Sequence, residues 1–212
     1  MRRLIQCFLR EPMLYSIFYL IAVSTGLRRG EICALRWGDL RMDNRLHIAH
    51  SRGIVAGKGV IESSTKNHRS REVILPQMVV DYFSFLLCEQ TVDQVPIGPD
   101  ELIFRTKDGP IHPDSFTRHL RRIYQKNGFP KEYHLHTLRH FFATYLLENN
   151  LSKQVAADLL GHADTSFLER TYCHPRDEGK KAAAGILDTM LQKEDEIAWA
   201  RIEAAQQGKK AG

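Results

Sequence analysis

The chain is poor in cysteine, and the four it has do not group: Cys7, Cys33, Cys88 and Cys173 stand far apart with no CxxC pair. That pattern suggests neither a thiolate zinc site nor a disulfide framework and fits a reducing, cytoplasmic setting. Long apolar runs are missing too. The most apolar stretch, Met13 to Ser24, has 12 residues, against the roughly 20 that a membrane-spanning helix needs. Arg2 and Arg3 ahead of apolar residues imitate a signal peptide, but Arg10, Glu11 and Pro12 interrupt the pattern. No internal repeat and no long linker divides the sequence, so one domain is the economical reading. What the chain does have is 212 residues, 43% of them hydrophobic, enough for a proper core. Its net charge of +5 suits a polyanionic partner, since Lys and Arg that neutralise phosphates release counterions.

The patterning predicts mainly α structure with a small antiparallel β-sheet, an α+β fold. Pro12 opens a helix to about Val23, with Leu14, Ile17, Phe18 and Ile21 at helical spacing. A second helix is expected from Arg28 to Trp37, ended by Gly38-Asp39. Three short β-branched runs follow, around Leu46-Ile48, Val60-Ile61 and Val73-Leu75, separated by glycines and by the polar turn 66–70. Further helices are expected over 76–90, 114–127, 137–149 and 152–160, with Ser152 as an N-cap. A short helix should end near Tyr172. Residues 177–207 are rich in Ala, Glu, Lys and Gln and read as a helix with one apolar stripe, Ile186, Leu187, Met190, Leu191 and Ile197. The last five residues are expected to be disordered.

Three clusters carry the chemistry: Thr25-Gly26-Leu27-Arg28-Arg29-Gly30-Glu31, then His136-Thr137-Leu138-Arg139-His140, then Leu160-Gly161-His162 with Thr171-Tyr172-Cys173-His174. Each is weak alone. With Lys66 between the first and second, their order and intervals make a joint signal. Cutting a phosphodiester with an alcohol requires positive charge on the transition state, a base for the nucleophile and an acid for the leaving oxygen. Guanidinium suits the first task because its fork bonds two phosphate oxygens and stays charged. Imidazole titrates near neutrality and can take the nucleophile's proton.

Over roughly residues 10 to 180 the chain resembles the tyrosine recombinase, or phage integrase, family, of the kind found in phages and conjugative transposons. The resemblance implies DNA strand cleavage and rejoining through a 3′-phosphotyrosyl link, with no metal, cofactor or ATP. It places Arg28 and Arg139 at the two phosphate-clamping arginines; the Thr-Gly-Leu-Arg context selects Arg28 over Arg29 and Arg36. His136 becomes the general base, His162 a donor to a non-bridging oxygen and Tyr172 the nucleophile. Ten residues separate His162 from Tyr172, where many members have nine; the longer spacing occurs in integrases of conjugative transposons. Lys66 matches the mobile catalytic lysine of a β-hairpin, with Lys58 as the alternative. Glu31 matches an acidic position that braces neighbouring site residues, or else makes an ordinary helical ion pair. His140 reads as a buried structural histidine pointing away from Arg139, and Cys173 as a packing residue.

The resemblance also implies partners and domain limits. Double-stranded DNA is the expected substrate, and other recombinase protomers the expected partners in a tetrameric synapse, with action at the nucleoid and no membrane. Residues 1–180 read as the catalytic domain and 181–212 as a C-terminal helix and tail, which either docks in a neighbouring protomer or packs in cis. The family's N-terminal core-binding domain is absent from this sequence, which reads as a catalytic domain alone or a shortened gene. A type IB topoisomerase shares the constellation and is the competing enzyme reading; a catalytically idle DNA-binding remnant is the non-enzymatic one.

Overall fold

A helix that is apolar all round has to be buried all round, and α2 (Met13–Thr25) shows it. Every residue from Ser16 to Val23 is buried, not just one face. The computed structural model describes residues 2–64, 70–92 and 97–161, all within the first of two compact units, Met1–Leu168. Around α2 pack α1 (Arg2–Phe8), α4 (Gln77–Val92) and α6 (Leu135–Glu148). Helix α5 (Pro113–Lys126) meets it through Phe116, whose ring stacks on Phe18 at 3.8 Å and whose carbonyl accepts the Tyr19 hydroxyl. Fully burying a Phe or Ile side chain contributes roughly 1.5–3 kcal/mol, so this aromatic core anchors the rest. No helix among the described residues is long and apolar enough to cross a membrane.

The α+β expectation is met, with differences in detail. Residues 2–8, for which no element was expected, form α1 and bury Leu4, Cys7 and Phe8 at helical spacing. The second helix is short: α3 covers Arg29–Cys33 only. Beyond it the backbone turns to sheet-like pairing, with Ile103 N–H donating to the Leu35 carbonyl and a bridge between Arg36 and Leu102. A 3-10 turn over Trp37–Asp39 follows.

The expected three-stranded sheet is replaced by two antiparallel ladders. The chain breaks at Ala49, so that β1 (Arg45–Ile48) pairs with β4 (Arg71–Ile74), and β2 (His50–Val55) with β3 (Gly59–Ser64). The first ladder buries Leu46, Ile48 and Val73; the second projects outward, leaving Ile54 and Val55 exposed. A small ladder joins β5 (Arg105–Thr106) to β6 (Gly109–Pro110). Helix α3 lies close on β2 because Gly30 has no side chain there: a methyl would meet Ser51 Oγ and the Arg52 carbonyl. Helix α7 (Lys153–Leu160) starts at Ser152, whose hydroxyl accepts the Val155 N–H as expected.

Candidate active site

A helix leaves its last carbonyls without partners inside the helix and carries partial negative charge at that end. Two helices end facing one side chain here. Glycines in left-handed conformation terminate both α2 and α7, Gly26 at φ 64° and Gly161 at φ 66°. Arg139, from α6 and only 4% exposed, donates Nη1–H to the Gly26 carbonyl at 2.7 Å and Nη2–H to the Leu160 carbonyl at 2.6 Å. The guanidinium thus ties together the residue two before Arg28 and the residue two before His162.

Arg28 is the N-cap of α3 in extended conformation. The Glu31 carboxylate, three residues on and 2% exposed, accepts the Arg28 backbone N–H at 2.9 Å and its Nη1–H at 3.1 Å. A third of the Arg28 side chain remains exposed, and its Nε and Nη2 donate to no other described residue, so the head has hydrogen bonds to give. The flanking arginines are engaged elsewhere. Arg29 bonds Asp114 and Thr117 on α5, and Arg36 bonds Glu62 and the Asp100 carbonyl.

Glu31 has a second cation that the sequence did not reveal. Arg71, the first residue of β4, places Nη1 and Nη2 on the two carboxylate oxygens at 3.1 and 2.9 Å, and its Nε–H reaches the Leu159 carbonyl at 3.3 Å. Burial alone would raise the Glu31 pKa. The hydrogen bonds and charges of Arg71 and Arg28 outweigh it and hold the carboxyl below its usual 4.5. No spacing rule could have found Arg71, since 40 residues separate it from Glu31.

His136 is exposed in the first turn of α6, with its ring edge-on to His140 at 4.7 Å and near His134 at 6.3 Å. Partial desolvation, then the charges of His140, Arg139, His134 and Arg28, push its pKa below 6.5, so the imidazole is neutral at pH 7. His140 departs from the expected buried position. It is half-buried, because four residues after His136 it falls on the same helix face. Arg28, Glu31, His136 and Arg139 therefore share one region of the molecule. Lys66, His162, Tyr172, Cys173 and the stripe from Ile186 to Ile197 lie outside the described residues. Lys58 is exposed in the β2–β3 turn.

The phage integrase family model matches residues 1–179, most of this chain. The chain belongs to the phage integrase family. A relative within it, the tyrosine recombinase XerC of Xylella fastidiosa (strain 9a5c), is 30% identical over 186 residues, covering 81% of this chain and 55% of its own. A tyrosine recombinase of Pseudothermotoga lettingae is also 30% identical, over 81% of this chain and 51% of the relative. The chain thus spans about half the length of the curated relatives it matches. The same fold occurs in the Tn1549 transposon integrase solved in complex with circular intermediate DNA (TM-score 0.75, 18% identity, 87% of this chain and 62% of that one). It also occurs in the XerH site-specific recombinase bound to difH substrate (TM-score 0.67, 22% identity, 88% and 52%).

Proposed function

We propose that residues 1–180 are the catalytic domain of a site-specific DNA recombinase that cleaves and rejoins strands through Tyr172, and that 181–212 form a C-terminal helix and tail. The observation that carries this reading is the tie of Arg139 to the carbonyls of Gly26 and Leu160, two residues before Arg28 and two before His162 in the sequence, in a chain of the phage integrase family. Arg28 and Arg139 clamp the non-bridging oxygens of the scissile phosphate, and His162 adds a donor. Preorganised cations of this kind stabilise the charge that grows on a phosphorane-like transition state. Neutral His136 takes the phenolic proton as the Tyr172 oxygen attacks phosphorus. Lys66 protonates the departing 5′-oxygen. The product is a 3′-phosphotyrosyl bond and a free 5′-hydroxyl. Attack by another 5′-hydroxyl reverses the steps, so the bond energy is conserved and neither ATP nor metal is required.

Double-stranded DNA is the proposed substrate, in keeping with the DNA-bound complexes of the Tn1549 integrase and XerH and with the positive charge of the chain. Strand exchange between two sites calls for several protomers, which we assign to a tetramer on DNA. The test is a suicide duplex nicked so that the cleaved fragment diffuses away. The chain should form a covalent protein–DNA band, and Tyr172→Phe should form none while still folding and binding. An adduct with the Phe variant would move the nucleophile to another tyrosine, such as Tyr145, which is 58% exposed.

A further inference from the structure

We propose that Arg71 is a positioning residue of the cleavage site, acting through Glu31 on Arg28. The inference rests on the phosphate-clamping role assigned to Arg28 above. Its geometry is that of a side chain held on three sides. The Arg71 side chain is 14% exposed, its two terminal nitrogens lie on the two oxygens of one carboxylate, and its Nε–H is on the Leu159 carbonyl. A Cβ built on Gly161 would lie 3.0 Å from the guanidinium, so Arg71 packs directly against the turn that ends α7. The next residue in the chain is His162. Arg71 is also the first residue of β4 and stands five residues after Lys66 in the sequence.

A bidentate pair fixes the plane of a carboxylate, whereas a single ammonium leaves it free to rotate. The orientation of Glu31 decides where its Oε1 meets Arg28 Nη1 and its Oε2 meets the Arg28 N–H. Arg71 therefore sets the direction of the Arg28 head from the far side of Glu31, without touching the phosphate. Its surroundings differ from those of Arg29, whose partner Asp114 is 45% exposed. Glu31 is 2% exposed, so water is a poor substitute for the lost fork.

The bland alternative is that Arg71 merely neutralises a buried carboxylate, in which case any cation would serve. Arg71→Lys separates the two. With the full chain and a suicide duplex, R71K is expected to slow single-turnover adduct formation at saturating protein at least tenfold, leaving the duplex dissociation constant within about threefold. Combined with R28K it should add less than about twofold to the R28K defect, because a misaimed Arg28 and a replaced Arg28 fail in the same way. Glu31→Gln, of equal size, should give the same pattern should R71K unfold. Cleavage by R71K within twofold of the parent, affinity falling in step with rate, or defects that multiply in the double variant would each overturn the proposal. A parent chain that forms no adduct at all would instead overturn the recombinase reading itself.

Discussion

Replacing Gly26 with Ala should cost more stability than any exposed glycine replacement, and the structure supplies the reason in two parts. At φ 64° an L-residue meets its own carbonyl, a strain of about 1–2 kcal/mol. The new methyl would also lie 2.5 Å from Phe142 Cδ1 and 2.8 Å from Leu160 Cδ2. Both side chains are buried, and such overpacking adds about 1–3 kcal/mol. Gly128 is the control: its φ is 65° but nothing lies within 4 Å of a built Cβ, so G128A should show the strain alone, about 1–2 kcal/mol. Urea unfolding should place G26A about 2–4 kcal/mol below the parent, an upper range set by partial relaxation of the leucine. For a chain of this size that is a fall in Tm of roughly 5–15 °C. G26A should also cleave more slowly under conditions where it is folded, because the shifted peptide carries the acceptor of Arg139 Nη1. A G26A stability equal to that of G128A would refute the contact on which the calculation stands.

Arg139→Lys should lose about a hundredfold or more in cleavage rate, because one ammonium cannot span two carbonyls and still present a fork to phosphate; a loss below about threefold would exclude the clamp. For His136, in its proposed role as base, the pH dependence has a definite sign: the base works when neutral and its pKa is lowered, so the acid-side decline in rate should set in at a lower pH than an unperturbed imidazole would give. A limb rising through pH 7.5 in single-turnover rates would assign the base elsewhere. Glu31→Gln should be destabilised at pH 7. Because the folded-state pKa of Glu31 is depressed, its contribution is present above 4.5 and lost as pH falls through the lower folded value. The gap between E31Q and the parent in urea unfolding should therefore close in acid, and a gap that widened there would contradict the depressed pKa.

Local chemistry was legible in the sequence and long-range pairing was not. The Ser152 cap and the Arg28–Glu31 pair follow from three-residue spacings within a single turn of backbone. The break at Ala49 could not be seen, because Leu46-Ile48 and Val60-Ile61 look alike as β-branched runs and only their partners distinguish the two ladders. Helix α1 was hidden by its brevity. It is held by burying Phe8 against Tyr19, 4.9 Å between ring centres. His140 was misplaced by reasoning from its neighbour Arg139 instead of from His136 one turn back. The roles of Lys66, His162 and Tyr172 continue to rest on the family resemblance.

The placement of Arg139 between the ends of α2 and α7 links completion of this part of the fold to the chemistry proposed for it. Arg139 finds its two carbonyls only when α2, α6 and α7 have docked. Given the clamping role proposed for Arg139, the same two bonds would also set the guanidinium for phosphate, so a molecule with these helices undocked would lack the aligned clamp. Under that proposal, competence to cut would follow from the docking of three helices rather than from any single residue.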